Sequence, residues 1–365
     1  MKVSATREHL LEALQSVIGV VERRQTMPIL SNVLLSARDN RLRITGTDLE
    51  VELVAAAEVQ AQQAGDVTLP GRKLYDIVRT LPDRTAVSMT REGDKVILRG
   101  GRSRFTLSSL PASEFPIIEE INTRHSLSLP ARDLRRLIDK THFAMAQQDV
   151  RYYLNGTLLE TDGAVLRAVA TDGHRLSWCE LVLGAHPSEL QQIILPRKGV
   201  LELQRLLDGE GAIEIELGSS HIRAVIGDVR LTSKLIDGRF PEYNRVIPSA
   251  PARVMTAPRD ALRAALQRTA ILSNEKYRGV RLMFAAGLLT IQAHNPEHEE
   301  AEDQLEVDFS GESLEIGFNV SYLLDALAAI ETDTVEVCVT GPDNSCLIRA
   351  PGDATVKYVV MPMRL

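Results

Sequence analysis

The sequence predicts an α+β fold built from one unit repeated three times, each unit having two helices packed on antiparallel sheets. Three observations predict it. A strand followed by an amphipathic helix begins near residues 3, 127 and 255. A second strand–helix pair begins near residues 69, 195 and 316. A hydrophobic–proline pair closes each unit, at spacings of 125 and 121 residues.

The first helix of each unit is predicted from the spacing of its leucines. The matching segments are VSATREHLLEALQSV, LSLPARDLRRLIDKT and MTAPRDALRAALQRT, which predict helices over 6–18, 131–142 and 258–269. Leu10, Leu134 and Leu262 fall in register. The apolar residue four positions later in each segment lies on the same helix face.

The middle of each unit alternates strands with a second helix. The strands at 42–50, 166–174 and 289–297 each end in a polar turn. Short strands then run into predicted helices over 71–80, 196–207 and 319–331.

The end of each unit is a set of alternating strands that finish at Phe115-Pro116, Phe240-Pro241 and Met361-Pro362. The predicted domains are therefore 1–120, 127–243 and 244–365. The apolar ending YVVMPMRL is then predicted to be the last strand of the third unit, paired and ordered rather than frayed.

Composition fits a globular chain of 365 residues, with 44% hydrophobic and 25% charged residues. No apolar run reaches 18 residues and the N-terminus has no signal-peptide pattern, so we expect a cytoplasmic protein that does not contact membranes. Cys179, Cys338 and Cys346 show no CxxC spacing, which is typical of structural thiols in a reducing compartment. No motif calls for a cofactor.

Charge is unevenly distributed. The chain carries 42 Lys and Arg against 49 Asp and Glu, a net charge of −7, yet its six predicted helices carry 14 against 9. One interpretation is that helix surfaces simply favour Lys and Arg. The other is a basic, helix-lined surface that holds phosphates without reading sequence. The residues alone leave both open.

Motifs for chemistry are weak. Neither GxxxxGK[ST] nor GxGxxG occurs. His294 and His298 stand four apart beside carboxylates, but Pro296 between them disfavours a helical metal site, and an acidic turn is the simpler interpretation. Asp172, His174 and Ser177 suggest a DNA-binding hydrolase, although they lie in one turn and no GxSxG elbow exists. The hydrolase remains the alternative hypothesis.

Several stretches, in order along the whole chain, carry a family resemblance. They are ITGTDLEVEL, QDVRYYLNG, ATDGHRL, SKLIDGRFPEY, AILSNEKYRGVRL, HNPEHEEAED, EIGFNVSYLLD and YVVMPMRL. In these the chain resembles the bacterial sliding clamps, the beta subunits of the DNA polymerase III holoenzyme. The resemblance implies the DNA-clamp fold and a head-to-tail homodimer whose six domains form a ring around duplex DNA. It implies a processivity factor without catalytic activity. Beside the clamp and the hydrolase, a monomeric scaffold protein is the third hypothesis.

The resemblance also implies which edges meet in the dimer. The first unit offers a basic, partly apolar edge and the third an acidic edge beside an apolar helix end. The residues implied are Arg102, Arg104, Phe105 and Leu107 on one side, and Ile271, Leu272, Glu297, Glu299, Glu300, Glu302 and Asp303 on the other. Because exposed ion pairs contribute only about 0–1 kcal/mol each, we expect the four apolar residues to supply most of the closure energy.

A hydrophobic cleft for short peptides is implied between the second and third domains. Its partners in the family are the DNA polymerase III alpha subunit, the clamp-loader delta subunit, and other polymerases and repair proteins. The matching residues are Leu154, Thr171, Gly173, His174, Arg175, Leu176, Pro241, Arg245, Val246, Asn319, Tyr322, Val359, Val360, Met361, Pro362, Met363 and Arg364. Ser177-Trp178 departs from the small aliphatic residues expected there.

For double-stranded DNA, bound without sequence preference, the resemblance points to a third set of residues. These are Arg24, Arg72, Gln148, Tyr152, Tyr153 and Lys198. The adjacent Arg23 and Arg24 suit phosphate contact. Tyr152 and Tyr153 suit stacking on unpaired bases.

Overall fold

A computed structural model describes residues 1–22, 27–118, 121–184, 189–248 and 253–364. It contains the six predicted helices, each within a few residues of its predicted ends. In chain order α1 to α6 are Arg7–Val17, Gly71–Thr80, Ala131–Asp139, Arg197–Leu206, Arg259–Thr269 and Val320–Ala329. The described part of the chain contains no helix long and apolar enough to cross a membrane.

Twenty-five strands accompany these helices in the described residues. In chain order β1 to β25 are Lys2–Thr6, Asn32–Arg38, Arg41–Thr47, Val51–Glu58, Gln60–Gln63, Gly65–Pro70, Ala86–Glu92, Lys95–Gly100, Ser103–Ser108, His125–Pro130, Gly156–Thr161, Val165–Thr171, Arg175–Val182, Gln191–Pro196, Ala212–Leu217, His221–Ile226, Val229–Lys234, Arg253–Pro258, Gly279–Ala285, Leu288–His294, Glu300–Glu306, Leu314–Asn319, Thr334–Val339, Cys346–Arg349 and Val356–Val360. Every pairing between them is antiparallel, which confirms the α+β class.

The strands form four sheets. Two have eight strands, in the orders β10-β15-β16-β17-β4-β3-β2-β6 and β14-β11-β12-β13-β25-β24-β23-β18. A five-stranded sheet runs β5-β1-β7-β8-β9, and a four-stranded sheet runs β21-β20-β19-β22. Strands β9 and β21 are therefore sheet edges.

The chain divides into two compact units. The first contains residues 1–135 and 198–235, and the second contains 136–197 and 236–365. Each unit holds one eight-stranded sheet and one smaller sheet. The division differs from the three predicted repeats because each large sheet continues from one repeat into the next, through the pairs β17–β4 and β13–β25.

Local chemistry explains where the helices begin. The Thr6 hydroxyl accepts a hydrogen bond from the His9 N–H at the start of α1, and the Asn319 side chain accepts one from the Ser321 N–H at the start of α6. Helices α2 and α5 instead follow a proline. Helix α1 buries Leu10 and Leu14 on one face, as their spacing predicted.

The apolar tail is a central strand rather than a frayed end. Strand β25 pairs with β13 on one side and β24 on the other, and it buries Val359 and Val360. This confirms the predicted closing strand. The three cysteines are buried free thiols, and burial raises the pKa of Cys179 to about 11, so this thiol stays protonated at neutral pH.

Candidate functional site

A groove in the second compact unit brings together many of the predicted cleft residues. Its volume is about 220 Å³. Leu154, Leu176 and Val359 are buried at its base, and Met361 stands at its side with 38% of its surface exposed. The full lining is Arg151, Tyr153, Leu154, Thr171, Gly173, Arg175, Leu176, Pro241, Glu242, Tyr243, Val246, Val359 and Met361. We call this the second-unit groove.

The turn between β12 and β13 shapes one wall of the groove. The Asp172 carboxylate accepts hydrogen bonds from the N–H groups of His174 (2.9 Å) and Arg175 (3.0 Å). The Thr171 hydroxyl donates to the Arg175 carbonyl and accepts from the Gly173 N–H. This self-contained turn holds Gly173 at φ +89°, a conformation that favours glycine.

We predict that Gly173→Ala destabilises the second unit by about 1–2 kcal/mol, the cost of a left-handed non-glycine residue. The added Cβ would also lie 2.8 Å from the Arg151 Nη1, so the guanidinium must move. The measurement is the thermal unfolding midpoint. Gly209→Ala is the matched control, since its Cβ would meet open space; equal midpoints for the two variants would contradict the prediction.

Arg175 is held in one orientation from several sides. Its guanidinium pairs with Asp172 (3.1 Å) and Asp325 (2.5 Å), and donates to the Phe143 carbonyl at 2.7 Å. The same group lies 4.5 Å from the centre of the Tyr322 ring. Arg175 thus presents a fixed cationic surface to the groove without an unpaired buried charge.

A buried carboxylate supports the groove from below. Glu160 accepts hydrogen bonds from the Tyr243 hydroxyl (2.9 Å), Gln192 (2.6 Å) and Arg167 (3.1 Å). Burial and the Glu160 hydrogen bond raise the pKa of Tyr243 to about 12. Tyr243 lines the groove, so this network fixes part of its wall.

We predict that Tyr243→Phe destabilises the second unit by about 1.5–3 kcal/mol, the usual value of a hydrogen bond to a charged group. The raised pKa of Tyr243 also predicts how this stabilisation depends on pH. The stabilisation from the neutral phenol is fully present below pH 10 and is lost as pH rises through about 12. The difference in unfolding midpoint between wild type and variant should therefore shrink across that window; a constant difference would contradict the assignment.

The chain beyond β25 is anchored by two backbone hydrogen bonds. The Met361 N–H donates to the His174 carbonyl and the Met363 N–H to the Gly317 carbonyl, both at 2.9 Å. Met363 and Arg364 line a neighbouring cavity of about 420 Å³ together with Asn274, Tyr277, Gly279, His294, Asn295 and Pro296. The tail therefore lies between two depressions in the surface of the second unit.

The structure divides the predicted cleft residues into groups. Nine line the second-unit groove: Leu154, Thr171, Gly173, Arg175, Leu176, Pro241, Val246, Val359 and Met361. Met363 and Arg364 line the neighbouring cavity, and Tyr322 stacks on Arg175. His174, Arg245, Asn319, Val360 and Pro362 line neither space.

Sequence reasoning missed Arg151, Glu242 and Tyr243 as lining residues. Glu242 and Tyr243 directly follow Pro241, a predicted cleft residue, so their place in the sequence could have identified them as lining residues. Tyr153, predicted as a DNA contact, is partly buried, lines the groove and packs against the hydrophobic cluster that contains Tyr243 and Val359. That cluster also contains Trp178, the only tryptophan of the chain.

The other described residues predicted to contact DNA belong to both compact units, Arg72 and Lys198 to the first and Gln148 and Tyr152 to the second. Lys198 is held between Glu22 (2.6 Å) and Asp48 (2.5 Å), so phosphate contact there must compete with two carboxylates. The Arg72 Nε donates to the Val21 carbonyl. Gln148 and Tyr152 are exposed, and Arg24 lies outside the described residues.

The residues predicted for the dimer lie on or near two of the edge strands, β9 and β21. Arg104 is exposed on β9, whereas Leu107 is buried in the chain itself and offers little surface to a partner. Strand β21 exposes Glu300 and Glu302 on alternate positions. Asp303 already pairs with Arg268 at 2.7 Å. Ile271 is 77% exposed at the end of α5.

The alternative chemical sites are not assembled in the described residues. Ser177 is buried within β13 while His174 lies in the exposed turn, and no hydrogen bond joins these two side chains. His294 and His298 flank the β20–β21 turn, and no group of three His, Cys, Asp or Glu side chains suited to a metal occurs in the described part of the chain.

Three family descriptions match the chain in succession. They are DNA polymerase III beta subunit, N-terminal domain, over residues 1–119; central domain, over 128–242; and C-terminal domain, over 244–364. This chain belongs to the bacterial sliding-clamp family. Sliding clamps are processivity factors of DNA polymerase III, and the family is not known for catalysis.

Individual sliding clamps are similar over their full length. The beta sliding clamp of Pseudomonas putida is 53% identical, and the match covers 100% of both chains. A crystal structure of the Pseudomonas aeruginosa subunit superposes with a TM-score of 0.97 at 52% identity, again over 100% of both chains. A second structure from that organism, bound to griselimycin, has a TM-score of 0.96 at 52% identity and the same coverage.

Proposed function

We propose that this sliding clamp works as a head-to-tail homodimer, a closed ring of six domains around duplex DNA. The observation that carries the proposal is the sheet pattern. Each eight-stranded sheet joins two four-strand halves, through β17–β4 in one and β13–β25 in the other. Each of the two smaller sheets corresponds to one such half that has not been joined to another. Strand β9 is an edge strand of the first of these sheets and β21 of the second. Pairing β9 of one copy with β21 of another completes the same pattern.

Charge and apolar surface support that junction. Arg102 and Arg104 face solvent at the β9 edge, while Glu300 and Glu302 project from β21. Ile271 and Leu272 supply apolar surface beside the acidic edge, and Phe105 supplies it beside the basic one. A head-to-tail contact made twice closes a ring and leaves neither β9 nor β21 as an unpaired edge strand.

Peptide partners are proposed to bind the second-unit groove and the adjoining cavity. An apolar anchor side chain fits above Leu154, Leu176 and Val359, and Met361 adapts to its shape. The proposed partners are the DNA polymerase III alpha subunit, the clamp-loader delta subunit, and other polymerases and repair proteins that carry short clamp-binding peptides. The griselimycin complex of the Pseudomonas aeruginosa clamp shows that a related chain binds a ligand.

Duplex DNA is proposed to contact the chain through phosphates rather than base edges. Arg72, Lys198 and the exposed Gln148 and Tyr152 are the candidate contacts, with Arg24. Because Lys198 is already paired with two carboxylates, its contribution should be small and strongly salt-dependent. Weak contacts of this kind allow sliding, since the ring itself prevents dissociation.

The domain boundaries and the compartment are part of the same proposal. We place the domains at 1–120, 127–243 and 244–365, in agreement with the extents of the three family matches. A cytoplasmic location is supported by three buried cysteines that remain free.

A peptide titration tests the proposal and separates it from the hydrolase alternative. A labelled peptide of the Gln-Leu-x-Leu-Phe kind should bind saturably, with a change in the fluorescence of Trp178, which packs beneath the groove. His174→Ala should weaken binding only modestly, because His174 holds the tail through its backbone carbonyl. Absence of peptide binding by the folded chain would overturn the proposal. Hydrolytic activity that is present in the wild type and lost in His174→Ala would establish the hydrolase.

A further inference from the structure

A second groove lies within the first compact unit, built from residues outside the second-unit groove. Its volume is about 560 Å³. Its lining includes the aliphatic side chains of Leu49, Ile117 and Ile118 and the polar side chains of His221 and Lys234. Ile117 is 64% exposed and Leu49 is 37% exposed. We call this the first-unit groove.

The backbone of the first-unit groove repeats that of the second-unit groove. The Thr47 hydroxyl donates to the Val51 carbonyl at 3.0 Å, as Thr171 does to Arg175. The Asp48 carboxylate accepts from the N–H groups of the residues two and three positions later, as Asp172 does.

The strand that closes each groove is anchored in the same way. The Lys234 N–H donates to the Glu50 carbonyl at 2.8 Å, which matches the bond from Met361 to His174. Lys234 therefore occupies in the first unit the position that Met361 occupies in the second.

The side chains on this shared frame differ in a way that favours another ligand. Where the second unit has Gly173 at φ +89°, the first has Leu49 at φ +79°. A leucine in the left-handed region is strained, and strain of this kind clusters at ligand-binding sites. In this conformation the partly exposed Leu49 side chain lines the same groove as Ile117.

Charge indicates what such a ligand carries. Among the described residues that line the first-unit groove, Lys234 is the one cation and none is acidic. Within the described residues Lys234 has no ion pair, while the nearby Asp48 carboxylate is occupied by Lys198. Burial and the neighbouring Lys234 lower the pKa of His221, so this ring is neutral at neutral pH.

We propose that the first-unit groove binds a short peptide of a partner protein, with an aliphatic side chain against Leu49 and Ile117 and a carboxylate on Lys234. The site goes beyond the proposed function, because it uses no residue of the second-unit groove. One chain then holds an acidic–aliphatic peptide and a clamp-binding peptide through separate residues.

The test is a fluorescence-polarisation titration of the full chain with fluorescein-labelled Asp-Leu-Asp-Leu-Leu. We expect saturable binding that Lys234→Glu and Ile117→Asp each weaken about tenfold or more. Lys2→Glu, the same charge change at an exposed lysine of β1, should leave it unchanged. Leu49→Gly should weaken binding without lowering the unfolding midpoint, because glycine adopts φ +79° freely.

The variant lacking residues 361–365 separates this inference from the proposed function. It should bind the acidic peptide like wild type, although it loses the Gln-Leu-x-Leu-Phe peptide. The inference is overturned if the acidic peptide does not bind, or if the deletion abolishes its binding while Lys234→Glu retains it. Equal affinity for Asn-Leu-Asn-Leu-Leu, or displacement by short duplex DNA at equimolar concentration, also overturns it.

Discussion

Deleting residues 361–365 will weaken binding of a Gln-Leu-x-Leu-Phe peptide about a hundredfold, or about 2.7 kcal/mol. The deletion removes Met361, which lines the second-unit groove, and Met363, which lines the adjoining cavity. Burying one such side chain against a ligand stabilises by about 1.5–3 kcal/mol. The measurement is the peptide dissociation constant by fluorescence polarisation.

The fold should survive this deletion. Strand β25 ends at Val360 and keeps both neighbouring strands. Met363→Leu is the matched control, because a swap of similar volume costs little, and it should bind within about threefold of wild type. Undiminished peptide binding by the deletion variant would mean that the groove is not the docking site and that the tail is a structural strand alone.

Ile271→Asp will convert the dimer to a monomer at micromolar concentration. The proposed ring has two identical junctions, and each would lose the burial of one isoleucine, about 1.5–3 kcal/mol. Each also gains a carboxylate beside the acidic edge strand β21, where it must be desolvated near like charges. Sedimentation should give a mass of 40.3 kDa for the variant and twice that for wild type.

Val182→Asp provides the control for the junction. Val182 is 70% exposed at the end of β13, so the substitution introduces the same charge on a comparably exposed aliphatic residue. It should remain dimeric. A dimeric Ile271→Asp would place the junction elsewhere, and a monomeric wild type would favour the scaffold hypothesis.

The repeat was predictable because its signals are local. Helix periodicity is set by neighbours three and four apart, and each strand ends at a turn whose residues are contiguous, as in Asp172 to Arg175. The apolar tail was recognisable as a strand for the same reason. The joining of two repeats in one sheet, through β17–β4 and β13–β25, depends on pairing between distant segments, and no local pattern encodes it.

The surroundings of the site residues were predictable to a lesser extent, and the reasons are physical. Tyr153 and Leu107 look like available surface in the sequence, yet packing buries Leu107 and places Tyr153 beside Tyr243. Lys198 reads as a free cation, but Glu22 and Asp48 come from distant positions to pair with it. Tyr243 acquires its role from Glu160, 83 residues away in sequence. Such relations arise only in the folded chain.

The most direct test of the central claim is retention on DNA of different topology. The chain is loaded onto a nicked circular plasmid with a bacterial clamp loader and ATP, then passed through gel filtration at high salt, where phosphate contacts are screened. A ring that encircles the duplex should stay on the circular DNA and leave once a single restriction cut makes the DNA linear. Equal retention on circular and linear DNA would contradict encirclement.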